Sequence, residues 1–118
     1  MGISVNELRI GNWVENESTN RQVEGVQLTG GYNEVMFWKI MAFEHDISPI
    51  PLTEDWLLKF GFVEVGDRYY DWIKGEIGFA NDIPDASYDL VSYDFHDCKI
   101  KYVHELQNLH FSLTGKEI

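Results

Sequence analysis

The stretch PIPLTEDWLLKFGF, residues 49–62, decides the fold around it because it specifies both ends of a short helix. Thr53 can accept a hydrogen bond from an unpaired N–H of the first turn, and the two acidic residues after it stand at the positive end of the helix dipole. Gly61 can adopt the left-handed conformation that ends a helix. The sequence therefore predicts a helix over 54–60, whose large apolar side chains require a sheet to pack against.

Apolar alternation and glycine turns predict antiparallel strands on both sides of this helix. The pattern predicts a first β meander of three strands over 10–40 and an irregular crossing over 41–48. It predicts a second antiparallel sheet over 62–102. Apolar residues recur at spacings of three and four over 103–113, which predicts a C-terminal helix. The predicted fold class is α+β: two small antiparallel β units (meander or small barrel-like), each followed by a short helix, packed as one domain over 1–118.

The strand expected over 32–40 is apolar on both faces. Alternation places Val35 and Phe37 on one face and Met36 and Trp38 on the other. Such a strand is either buried on two sides or exposes a binding face. A second copy of the chain could cover that face, so the oligomeric state is open and a homodimer is compatible with the pattern.

Net charge limits the partners of this chain. The formal charge is −11, and the nine basic residues form no cluster. This disfavours direct nucleic-acid binding and docking on an anionic membrane. The acidic excess serves solubility or, in a sharper interpretation, imitates the phosphates of DNA.

Cysteine usage and the start of the chain bear on location. Cys98 is the only cysteine, which is compatible with a reducing compartment. The first residues lack the basic and apolar regions of a signal peptide, and no apolar run is long enough to span a bilayer. The sequence therefore predicts a cytoplasmic protein that does not enter a membrane.

No catalytic or metal-binding pattern is convincing. His96 and Cys98 would share a strand face, but paired ligands at zinc spacing are missing. His104 is expected to face solvent, and His110 to be a core histidine with a hydrogen bond. No nucleophile elbow or phosphate-binding glycine loop occurs. We therefore expect no enzyme activity, no metal and no cofactor.

Aromatic side chains form the candidate binding surface. Tyr69 and Trp72 fall on opposite faces of one predicted strand, and Trp38 and Tyr93 lie on others. Exposed aromatic rings can stack on a ligand or anchor a protein partner. The alternative interpretation is simple cross-strand packing.

Three segments carry a resemblance to a known family: LRIGN (8–12), IPLTEDWLLKFGF (50–62) and VHELQNLHFSLTGKEI (103–118). They resemble segments like LRIGN, IPLTEEWLLKFGF and VHQLQNLYFALTGEEL in a group of small proteins encoded in Bacteroidetes genomes and their phages and mobile elements. The resemblance implies no activity, cofactor or catalytic residue. It leaves Glu15–Asp46 as the part most free to differ and hence as the place for member-specific recognition.

The function predicted from these observations is that of a non-enzymatic accessory protein of phage or mobile-element origin that binds another protein. One alternative is a protein that binds or sequesters a small ligand in an aromatic pocket between sheets and helix. Another is an acidic DNA mimic that inhibits a DNA-binding protein.

Overall fold

The computed structural model describes residues 7–29, 32–37, 40–43, 46–65, 71–75, 77–82, 87–90 and 99–118. These residues form antiparallel strands and two helices, which confirms the α+β class. Neither described helix is long and apolar enough to cross a membrane. The helices are α1 (Glu54–Lys59) and α2 (Val103–Thr114). The strands are β1 (Trp13–Asn16), β2 (Thr19–Gln22), β3 (Gly25–Thr29), β4 (Tyr32–Phe37), β5 (Ile40–Phe43), β6 (Ile47–Ser48), β7 (Val63–Glu64), β8 (Trp72–Lys74), β9 (Ile77–Asp82), β10 (Ser87–Leu90) and β11 (Lys99–Ile100).

Contacts divide the chain into two units. Unit 1 comprises Met1–Ile50 with Tyr102–Glu117, and unit 2 comprises Pro51–Lys101 with Ile118. The expectation that each β unit is closed by the helix that follows it is not confirmed. Helix α2 follows β11 along the chain, but it belongs to unit 1 and contacts β1 there, whereas α1 belongs to unit 2. The packing of the whole chain as one domain stays a prediction.

Unit 1 contains two three-stranded sheets, with strand orders β2-β1-β6 and β3-β4-β5. The sequence predicts a three-stranded meander over 10–40 and an irregular crossing over 41–48, whereas described strands continue through β5 and β6 to Ser48. The turn between β1 and β2 is tight, with Glu17 (φ 52°) and Ser18 (φ 62°) both in the left-handed region. Two such residues are typical of a hairpin whose twist matches that of its strands.

The core of unit 1 is mainly aliphatic, with Phe37 as an aromatic member. Alternation along β1 and β4 directs one face of each strand inward, as expected for sheets covered on one side. The buried cluster consists of Leu8, Val14, Val23, Val35, Phe37 and Ile47, with Ala42 packed against it.

Unit 2 begins with α1, whose predicted N-cap is confirmed. The hydroxyl of Thr53 accepts a hydrogen bond from Trp56 N, and Gly61, just after the helix, has φ 90°. Leu57 is fully buried. The five-stranded sheet of this unit has the order β11-β10-β9-β8-β7. On β10, burial and secondarily the Glu54 carboxylate raise the pKa of Tyr88.

Candidate functional site

Of the four aromatic residues proposed from the sequence, three lie outside the described residues: Trp38, Tyr69 and Tyr93. The fourth, Trp72, pairs with Phe79 in the register of β8 and β9 and is 2% exposed. Its indole N–H is buried and meets no acceptor in the described part of the chain. Trp72 therefore packs in the core of unit 2, and its ring is not part of an exposed surface there.

The histidines can be compared with their predicted environments where they are described; His96 and Cys98 lie outside those residues. The prediction for His110 is confirmed, since it is 8% exposed and its Nδ1 donates to Lys116 O at 2.9 Å. The prediction for His104 is wrong. Its side chain is 1% exposed because the first turn of α2 faces inward, and its Nε2 lies 3.3 Å from Glu7 Oε1.

Potential metal ligands do not cluster in the part of the chain that the structure describes. The described residues contain no group of three or more His, Cys, Asp or Glu side chains that could hold a metal ion. Neither described histidine therefore belongs to such a group.

An apolar surface lies on one face of the β3-β4-β5 sheet. Met36 on β4 pairs with Met41 on β5, and Glu34 pairs with Phe43, so these four side chains share a face. The exposed fractions of Met36, Met41 and Phe43 are 36%, 56% and 44%. The residue between Glu34 and Met36, Val35, is fully buried on the opposite face. We call the surface of Glu34, Met36, Met41 and Phe43 the sheet face.

A groove of about 450 Å³ adjoins the sheet face. Its lining combines apolar side chains of β5 with polar groups from the β1–β2 turn and the start of β6: Asn16, Glu17, Glu34, Met41, Ala42, Phe43 and Asp46. Three of these residues are acidic, and none of the described lining residues is basic. The groove can therefore accept an apolar group next to a positive charge.

A second concave region, which we call the β2 cleft, has a volume of about 570 Å³. Strand β2 and the residues after it form one wall, and residues before and within β1 form another. The lining residues are Ile10, Gly11, Trp13, Asn20, Arg21, Gln22, Val23, Glu24 and Phe37. Aromatic, aliphatic and polar residues thus line this cleft, together with one arginine, Arg21.

The LRIGN segment meets α2 through Arg9. Its guanidinium pairs with the carboxylate of Glu117 and donates a hydrogen bond to Asn108 Oδ1 at 2.7 Å. It also lies over the ring of Phe111, 4.2 Å from the centroid. The guanidinium of arginine can make all these contacts at once, because it is planar and carries several N–H donors. Its edge donates hydrogen bonds while its face stacks on an aromatic ring.

Two buried amides complete this junction. Asn12, fully buried, accepts from Arg9 N at 2.6 Å and donates to Asn108 Oδ1 at 3.0 Å. Gln107, 4% exposed, accepts from Trp13 N at 2.8 Å and donates to Gly11 O at 2.9 Å. We call the side chains of Arg9, Asn12, Gln107 and Asn108 the polar seam. It gives a structural role to both segments that carry the resemblance at the two ends of the chain.

Comparisons of the chain with protein-family models, curated proteins and solved structures give no match. The resemblance to the Bacteroidetes and phage group therefore stays a prediction. The function has to be argued from the two concave regions and the sheet face.

Sequence reasoning found part of the sheet face and missed the rest. It placed Met36 on an apolar face opposite to Val35, as the structure does. It missed Met41 and Phe43 because IMAF, residues 40–43, is apolar at every position and shows no period of two. Arg21 was also missed, since a single arginine between polar neighbours carries no pattern.

Proposed function

We propose that this protein is a non-enzymatic binding module, and that the sheet face with its acidic groove binds a segment of another protein. The observation that carries the proposal is the exposure of Met36, Met41 and Phe43 on adjacent strands. Contiguous apolar side chains on a protein surface mark interaction sites more often than isolated ones do. Met and Phe are also enriched at interface centres, and methionine adapts to the shape of its partner.

The charge of the groove specifies the partner further. Glu17 is exposed and Glu34 is half-buried, so positive charge in a partner would be favourable on this side of the surface. A segment with Lys or Arg beside apolar residues fits, since its apolar side chains would cover Met41 and Phe43. A second copy of this chain fits less well because each copy carries a formal charge of −11. Homodimerisation remains a prediction that sedimentation measurements can test.

The proposed biological setting rests on the sequence alone. The resemblance supports an accessory role in phages or mobile elements, and the single cysteine supports a cytoplasmic location. Both are part of the proposal.

The test compares a double variant of the sheet face with a single control variant, and both replace apolar side chains by serine. Met41→Ser with Phe43→Ser removes the centre of the sheet face, and Leu58→Ser removes an apolar side chain of α1 that is 57% exposed. A partner captured by the unmodified protein is identified, and its Kd is then measured with all three proteins by calorimetry. We expect the double variant to bind at least about tenfold more weakly, since loss of an interface anchor costs about 2 kcal/mol or more.

The control must behave differently for the proposal to stand. Leu58→Ser should bind with unchanged affinity, and circular dichroism should show that all variants are folded. Equal binding by the double variant would contradict the role of the sheet face. Turnover of a hydrolase substrate that a single acidic substitution abolishes would contradict the non-enzymatic role.

A further inference from the structure

Arg21 in the β2 cleft is in an unusual place for a cation. In the register of β1 and β2 it stands opposite Val14, which is fully buried, so Arg21 lies on the inward face of β2. The residue itself is partly exposed, but its Nε is buried. A strand position of this kind normally holds an apolar side chain.

Among the described residues, the guanidinium of Arg21 meets no counter-charge. Its buried Nε meets no acceptor, and in the described part of the chain Arg21 forms no ion pair, although Glu24 lines the same cleft. Arg9, by comparison, pairs with a carboxylate. The chain has 20 acidic residues and nine basic ones, so carboxylates are not scarce. A partly buried cation without a partner is unfavourable unless an anion or water supplies the missing acceptor.

The rest of the cleft indicates what such an anion would carry. Buried Val23 and Phe37 form its apolar part, and Trp13 and Ile10 line it nearer the surface. A volume of about 570 Å³ lies in the range of small-molecule sites. Glu24 and the overall negative charge disfavour a ligand with several negative charges.

We propose that the β2 cleft binds a small monocarboxylate with an apolar or aromatic body, and that Arg21 pairs with the carboxylate. Guanidinium and carboxylate match in geometry, since the planar fork can donate two parallel hydrogen bonds. The apolar body then occupies the apolar part of the cleft, which Val23 and Phe37 line. This site is separate from the sheet face, so the proposal does not depend on the protein-binding function.

The test uses phenylacetate and its neutral analogue phenylacetamide as probes. The chain has four tryptophans, and each gives one indole N–H resonance in a proton–nitrogen correlation spectrum. The Trp13 resonance is assigned with Trp13→Phe. We expect phenylacetate to shift this resonance in a saturable way and phenylacetamide to bind at least about tenfold more weakly, because a charge-assisted hydrogen bond is lost.

Two variants with opposite expected effects sharpen the test. Arg21→Gln should weaken phenylacetate binding at least about tenfold and leave phenylacetamide unchanged. Glu24→Gln should strengthen phenylacetate binding about two- to fivefold, because it removes an exposed like charge. Thermal unfolding of each variant shows whether it is folded.

Three results would overturn the proposal. The first is no saturable shift of the Trp13 resonance with phenylacetate. The second is equal binding of phenylacetate and phenylacetamide, which would show that the cleft recognises only the apolar body. The third is an unchanged affinity in folded Arg21→Gln, which would mean that water satisfies the guanidinium and that Arg21 only packs its stem on the core.

Discussion

Helices α1 and α2 lie in different units, and the contacts that fix them differ in kind. In α1, the capping residue Thr53 is adjacent in sequence, and the inward side chain is the apolar Leu57. In α2, Gln107 and Asn108 bind residues 7–13, which are about a hundred positions away in the chain. One helix is specified by neighbouring residues, and the other by polar partners that only the fold brings close.

The difference between the two helices shows that a buried polar side chain is useful where it can bind backbone groups of another segment. Where the chain enters β1, the backbone groups Trp13 N and Gly11 O bind the side chain of Gln107 in α2. These backbone groups are partly buried and need partners, and the amide of Gln107 both accepts and donates. An apolar helix face would cover these residues but remove the Gln107 acceptor of Trp13 N and one of the donors to Gly11 O, which would keep its bond from Gln22. Gln107 therefore adds these hydrogen bonds to the apolar burial of Val103 and Leu106, which also anchors α2 in unit 1, whereas the buried side chain that anchors α1 is the apolar Leu57.

The largest effect is expected from Leu57→Ala in α1. Leu57 is fully buried, so its removal loses apolar burial and leaves a cavity, at a cost of about 2–5 kcal/mol in the free energy of unfolding. Its neighbour Leu58 is 57% exposed, and Leu58→Ala should change this free energy by no more than about 0.5 kcal/mol. Urea unfolding followed by circular dichroism measures both. Similar losses in the two variants would contradict the apolar anchoring of α1.

A smaller effect is expected from Gln107→Met in α2. The change keeps the approximate shape of a buried side chain but leaves Trp13 N and Gly11 O with fewer partners, which costs about 1–3 kcal/mol. Gln22 provides a matched control, because its exposed Nε2 also donates to Gly11 O at 2.9 Å. Gln22→Met should change the free energy of unfolding by no more than about 0.5 kcal/mol.

The outcome for this pair distinguishes two interpretations of the seam. If Gln107→Met is as stable as the unmodified protein, shape alone places α2 in unit 1. Hydrogen exchange of the Trp13 amide gives a local readout, and we expect it to become faster in Gln107→Met and to stay unchanged in Gln22→Met.

The same contrast explains how much the sequence could predict. The cap at Thr53 and the turn at Gly61 involve residues a few positions apart, and such local signals were sufficient to predict α1. The periodicity of α2 predicted a helix but not its partner, because Gln107 and Asn108 are polar and carry no sign of burial in the sequence. His104 was assigned to solvent for the same reason. For the candidate sites, Met36 was predictable from alternation, while Arg21 required the register with Val14.

The smallest effect is expected from Thr53→Ala. The hydroxyl of Thr53 accepts from Trp56 N at 3.5 Å, which is long for a hydrogen bond, so its loss should cost only about 0.5–1 kcal/mol. Thr53→Ser keeps the hydroxyl and should recover most of this loss. Differential urea unfolding of the three proteins measures the effect. If Thr53→Ala lowered the free energy of unfolding more than Leu57→Ala, the cap and not apolar burial would hold α1 in place. The contrast between an apolar anchor in α1 and polar contacts in α2 would then be wrong. A cost near zero in both variants would mean that the acidic first turn, Glu54 and Asp55, starts the helix without a side-chain cap.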